Sequence, residues 1–181
     1  DAYTPPGERR QGFDYWLSYG THDDHLHPHY WRDTNEQIKP EKWSVEYETD
    51  RALDFLEEHR GKEEPFALFV SYNPPHLPYE LVPEKYESQL KNLDIHYRPN
   101  VPKDMRCDPL QTDTRQYFAA VNGIDEHFGR IMDYLREHHM EENTLVVLSA
   151  DHGDMMGSQG LMSKNVWYEE SIHIPLVMRW K

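Results

Sequence analysis

The sequence has a single cysteine, Cys107, in 181 residues, which excludes an internal disulfide. Positive charge is scarce. Nineteen Lys and Arg stand against 33 Asp and Glu, a formal net charge of −14, and a nucleic-acid-binding role needs a basic face that this balance does not supply. Attraction of a polyanionic ligand would have to be local, from a metal ion and from Lys or Arg in a pocket. No apolar run approaches the length of a membrane span. There is no internal repeat and no low-complexity tract. The chain begins at Asp1 without an initiator Met and stops at Trp180-Lys181, so it reads as an internal piece of a longer protein. The lack of a recognisable signal peptide therefore carries no information about compartment.

What is present is concentrated at the ends of two apolar runs. Leu145-Val146-Val147-Leu148 is short and β-branched, as in a buried strand of a parallel sheet, and it runs into Ser149-Ala150-Asp151-His152-Gly153-Asp154, then Gly157, Gly160 and Lys164. Ligands of open α/β folds bind just outside the carboxyl ends of such strands. Adjacent Asp and His side chains there can hold a metal ion, and Lys164 returns a positive charge to the same place. Carboxylate, imidazole and ammonium around one point suit an oxyanion ester. The second run, Phe66 to Tyr72, leads into Asn73-Pro74-Pro75-His76-Leu77-Pro78-Tyr79. Its prolines restrict φ and present His76 with little freedom.

The remaining pattern is α/β. Residues 1–43, rich in Tyr, Trp, His and Pro, read as a loop-rich segment on the substrate side, and 44–181 as the α/β core. Ser44 to His59 has a helical apolar face (Val45, Thr49, Ala52, Leu53, Leu56), with Ser44 as a cap and Gly61 as the stop. A short helix is expected near 83–90, irregular chain over 91–111, and a long helix from about Thr112 to His139 with a stripe of Tyr117, Val121, Ile124, Phe128, Ile131 and Leu135. Strands are expected at 66–72, 144–149 and 174–179, with a helical turn near 166–172. The alternation implies parallel βαβ units, a sheet flanked by helices. Asp125 reads as structural. The His22–His29 run offers no helical His-x-x-x-His framework and reads as an exposed loop. Tyr19, Tyr30 and Trp31 beside it would suit stacking on sugar rings.

Asp151-His-Gly-Asp-Met-x-Gly-x-x-Gly-x-x-x-Lys164-x-x-x-Tyr168-Glu-Glu-Ser171, followed by Ile174-Pro175-Leu176, resembles the C-terminal signature of the type I sulfatases of the alkaline phosphatase superfamily. Pro65-Phe66, Pro74-Pro75-His76-x-Pro78-Tyr79 and Val82-Pro-Glu-Lys-Tyr86 resemble the middle segment of that family, and Arg115-x-Tyr117-x-Ala119 with Val121-x-x-x-Asp125-x-x-x-Gly129 the helix that follows. Gly12-Phe13-Asp14-Tyr15-Trp16 is similar to an earlier stretch. Four motifs in the family order cover nearly the whole chain.

The resemblance implies an alkaline-phosphatase-like core and hydrolysis of sulfate esters of a small molecule or, with most affinity to the bacterial members, a glycan. It implies Asp151 and His152 as ligands of Ca²⁺. Imidazole suits Mn²⁺ or Zn²⁺ better, and these are the alternatives. Lys164 would contact the sulfate, and His76 would lie at the bridging oxygen as substrate ligand or proton donor. His25 is a further candidate for the substrate side. The family nucleophile is a formylglycine within a Cys/Ser-x-Pro/Ala-x-Arg motif, and this sequence does not contain that motif. Cys107-Asp-Pro-Leu-Gln111 matches its start, but has Gln111 in place of Arg and follows the His76 segment out of order. The chain alone is thus expected to be inactive and, with part of a sheet missing, to self-associate. A superfamily phosphodiesterase or phosphonate hydrolase, and an inactive truncated domain, are the alternative readings. Periplasmic or secreted placement is what the resemblance implies.

Overall fold

The computed structural model describes residues 3–181. Three helices form its body: α1 (Ser44–His59), α2 (Glu84–Leu90) and α3 (Asp108–Glu137), with α1 and α2 both packed on α3. The core lies where they meet. Trp43, Val45, Val82, Tyr86, Ala119 and Ala120 are buried together there. The Trp43 ring leans on Tyr86 at 5.5 Å and on His127 at 5.9 Å between ring centres. A Cβ on Gly123 would sit 2.6 Å from that indole, so α3 carries a glycine where the ring approaches. Ion pairs fasten the surface, Arg130 to Asp50 at 2.7 Å across α1 and α3, and Lys85 to Glu126 at 2.6 Å across α2 and α3.

The helices follow the sequence pattern with two differences. α3 begins at Asp108, before the expected Thr112, because Pro109 falls in the first turn, where its missing N–H goes unused. Ser44 is the first helical residue and no cap: Trp43 occupies that place, and the Ser44 hydroxyl is buried without a partner.

The sheet differs more. Its two strands, β1 (Val146–Ser149) and β2 (Leu176–Arg179), are antiparallel, with Val146 opposite Arg179 and Ser149 opposite Leu176, which corrects the expected parallel arrangement. The segment joining them carries a helix, α4 (Glu169–Ile172), of four residues. That helix is about 6 Å long. The rest of residues 150–175 is mostly loop folded at the end of β1, so the chain re-enters the sheet at the end it left, with Ser149 opposite Leu176 and its hydroxyl donating to Pro175 O at 2.9 Å. The end of β2 is held by Glu141, which accepts hydrogen bonds from Arg179 (3.0 Å) and Lys181 (2.6 Å). Residues 66–72 form no strand. Among the described residues no backbone hydrogen bond joins them to another segment, and alternate side chains are exposed, Phe69 to 77%.

Between 66–72 and β1 lies an open cleft of about 2110 Å³. The expected apolar stripe of α3 lines it: Val121, Ile124, Phe128 and Ile131 border the cleft, while the helix buries small residues, Ala119, Ala120 and Gly123, in the core.

Candidate active site

The two loops singled out in the sequence both line this cleft and touch where the Tyr79 hydroxyl meets Asp154. His76, Asp151, His152 and Lys164 all border the cleft, and Asp151, His152 and Lys164 also border an adjoining hollow with Trp167 and Ser171.

His76 is fixed from both sides. Its Nδ1 lies 2.6 Å from the carbonyl oxygen of Leu77 and so donates, which leaves Nε2 as the lone-pair nitrogen of the neutral ring. Its own carbonyl oxygen accepts from Nε2 of His25 at 2.9 Å. His25 is only 3% exposed, and burial lowers its pKa. It does not border the cleft; the structure places it behind His76, holding that loop. Asn73 ties the same loop to the His22–His29 run by donating to Asp23 Oδ1 at 3.1 Å. Of the aromatics read as stacking residues, Tyr19 borders the cleft. Tyr30 and Trp31 are buried, and the Tyr30 hydroxyl donates to the buried Glu48 at 2.7 Å, so neither offers a face to a ligand.

Asp151 and His152 leave β1 side by side. Asp151 is exposed, and its Oδ1 accepts the backbone N–H of His152 at 2.9 Å. His152 donates from Nδ1 to the carbonyl oxygen of Gly153 at 2.7 Å, so its Nε2 carries a lone pair, 3.5 Å from Asp151 Oδ2. With the ring neutral both atoms are acceptors, and such a pair suits a shared cation. They are two ligands and no more: among the described residues no group of three or more His, Cys, Asp or Glu is placed to hold a metal. Gly153 follows because nothing larger fits. Its N–H donates to Ser171 O at 2.8 Å, and a Cβ there would stand 2.1 Å from the carbonyl oxygen of Glu170. The Tyr168-Glu-Glu-Ser171 motif is thus the wall against which the metal-ligand candidates are set.

Lys164 stands between Ser163 and Asn165, both left-handed, with φ of 64° and 73°. The loop before it is closed by Met155 N–H to Ser163 O at 2.8 Å and held down by the fully buried Met155 and Ser158. Cys107 stands apart, exposed at the N-terminal cap of α3 and away from the cleft.

Tyr79 and Asp154 lie within the two motifs but carry no role that the sequence pattern reveals. In the structure Tyr79 donates to Asp154 Oδ2 at 2.8 Å, joining the His76 and Lys164 loops. Burial and, next, this carboxylate raise the Tyr79 pKa. Only the shared presence of both residues in the two motifs could have hinted at the contact.

Comparison with known proteins identifies the family. The profile of the Sulfatase family matches residues 2–181. An endo-4-O-sulfatase of Bacteroides thetaiotaomicron is 38% identical over 99% of this chain and 37% of its own length. An ulvan-active sulfatase of Formosa agariphila is 33% identical over 99% of this chain and 35% of its own. A structure solved in connection with the metabolism of multiple glycosaminoglycans by Bacteroides thetaiotaomicron superposes with a TM-score of 0.90 at 37% identity, covering 99% of this chain and 38% of that one. The chain therefore spans little more than a third of these relatives.

Proposed function

Since the chain belongs to the sulfatase family, we propose that it forms the part of a carbohydrate sulfatase that grips the sulfate group and the leaving oxygen. The observation that supports this reading is that His76, Asp151, His152 and Lys164 line one cleft, on two loops joined by the Tyr79–Asp154 hydrogen bond. The carbohydrate substrate is supported by the names of two relatives, the endo-4-O-sulfatase and the ulvan-active sulfatase.

Each residue has a chemical task. Lys164 places a point charge against non-bridging sulfate oxygens, which stay anionic from ground state to transition state. His76, its Nδ1–H tied to Leu77, turns Nε2 to the substrate; protonated there, it donates to the bridging oxygen as the S–O bond breaks. His25 keeps that loop in place. Asp151 and His152 fit as two ligands of a cation, Ca²⁺ by family resemblance and Mn²⁺ or Zn²⁺ as the alternatives that favour imidazole. Such an ion supplies charge neutralisation at the sulfate, with its other ligands from outside this segment. The nucleophile, a formylglycine by the same resemblance, also belongs outside it, because Cys107 is remote from the cleft.

The test is made in an enzyme of the relatives' full length, with a nitrophenyl sulfate and a sugar sulfate as substrates. Lys164→Ala is expected to lower kcat/KM for both by about 10²–10³-fold. His76→Ala is expected to slow the sugar sulfate by about 10²–10⁴-fold and the aryl sulfate, whose leaving group needs little protonation, much less. Equal losses on both substrates would remove the proton-donor role, and full activity in Lys164→Ala would remove the sulfate grip.

A further inference from the structure

We infer that Asp154 and Tyr79 form a positioning pair that fixes Lys164 relative to His76; the inference rests on the sulfatase reading of those two residues. Asp154 uses its whole carboxylate within the site. Oδ1 accepts the backbone N–H groups of Met156 (3.0 Å) and Ser163 (3.1 Å), and Oδ2 accepts the Tyr79 hydroxyl (2.8 Å). One side chain thereby binds the start of its loop, the residue just before Lys164, and a residue three positions after His76.

The need for such a clamp lies in the backbone. Ser163 and Asn165 flank Lys164 in the left-handed region, which side-chain-bearing residues enter only when surroundings hold them there. Asp154 supplies the hold at Ser163 through the N–H group, and Met155 N–H reinforces it through the Ser163 carbonyl oxygen at 2.8 Å. Released at Ser163, the chain would relax and carry the Lys164 ammonium away from the sulfate position. The Tyr79 bond adds the second coordinate: it sets the distance between the group that grips sulfate and the group that serves the leaving oxygen. Neither Asp154 nor Tyr79 needs to touch substrate.

The pair predicts non-additivity. In the full-length enzyme, Asp154→Ala is expected to reduce kcat/KM by about 10–10²-fold, because misplacement by an ångström is enough for such losses. Asp154→Asn retains an oxygen for the two N–H groups and an amide for the Tyr79 oxygen, and is expected to recover most of the activity. In a Lys164→Ala background, Asp154→Ala is expected to cost less than threefold, since the lysine it positions is already gone. Tyr79→Phe is expected to cost severalfold with little change in Tm. Hydrogen exchange of the peptide covering 155–165 gives a readout independent of chemistry and is expected to rise in Asp154→Ala. Multiplicative losses in the double mutant, no recovery in Asp154→Asn, or unchanged exchange in 155–165 would each overturn the pair. Full activity in Lys164→Ala alone would instead remove the sulfate grip of the functional reading, and the exchange measurement would still decide whether Asp154 holds the loop.

Discussion

Gly153→Ala offers a sharp test of how the site is built, because one methyl group meets backbone. The added Cβ would lie 2.1 Å from the carbonyl oxygen of Glu170 and 3.1 Å from its carbonyl carbon. A comfortable C···O approach is about 3.3 Å. The two strands of chain must therefore part by roughly 1 Å, and no rotamer can absorb the movement. Overpacking of this kind costs about 1–3 kcal/mol. The Gly153 N–H to Ser171 O bond, 2.8 Å long, stretches with it, adding about 1 kcal/mol. The expected destabilisation is thus about 2–4 kcal/mol in urea unfolding. Asp151 and His152 precede Gly153 directly, so the displacement should also lower kcat/KM by about 10²-fold and weaken metal retention. Gly129→Ala is the control: no atom lies within 4 Å of its would-be Cβ, and alanine in the middle of α3 should stabilise by about 0.5–1 kcal/mol. If Gly153→Ala unfolds within 0.5 kcal/mol of the parent and keeps its activity, the packing of the Asp151–Gly153 turn on Glu170-Ser171 is wrong.

Two other outcomes are expected. Glu48 is buried against Tyr30, and burial pushes its pKa up to about 8 from an ordinary 4.5, the Tyr30 hydrogen bond offsetting only part of the rise. Between those pH values the folded state holds a proton that the unfolded state has lost, so stability is fullest below 4.5 and is lost as pH rises through 8. Glu48→Gln removes that slope; urea unfolding at pH 5 and pH 8 should show the variant gaining on the parent by on the order of a few kcal/mol, and parallel behaviour would refute the burial argument. The chain on its own, with Phe69, Leu148, Val177 and Trp180 exposed around an open sheet, is expected to self-associate, and light scattering from a clean monomer at high concentration would contradict this.

The helices were more legible in the sequence than the sheet. α1 could be read because its apolar face is buried, between α3 and the aromatic side chains of Tyr15, Tyr30 and Phe66, so periodicity and burial coincide. The stripe of α3 misled in part: Val121 and Phe128 have helical spacing but border the cleft, whereas Ile124 also packs on the core, Leu135 is buried, and the core takes in Ala119, Ala120 and Gly123, whose hydrophobic signal is weak. Residues 66–72 and 146–149 have equally strand-like composition. Only the second has a partner, and a ladder is a property of two segments that neither reveals alone. His76, Asp151, His152 and Lys164 were visible as residue types at ends of apolar runs. The Tyr79–Asp154 bond was not, because it spans 75 positions and depends on how two loops are folded.

The backbone leading into Lys164 also has a meaning for anyone who would engineer this protein for heat resistance. Met156, Gly157, Gln159, Gly160, Ser163 and Asn165 all have positive φ, so most of this ten-residue span is a left-handed coil. Consensus wisdom for thermostabilising a loop is to remove glycine and add proline, shrinking the unfolded ensemble. Here that recipe inverts: alanine at Gly157 or proline at Gln159 would collide with the native φ values of 86° and 58°, and glycine at the exposed Gln159 is the change that relieves the fold. A library filtered by the ordinary rule would discard the stabilising substitutions in this one segment and retain those that strain it.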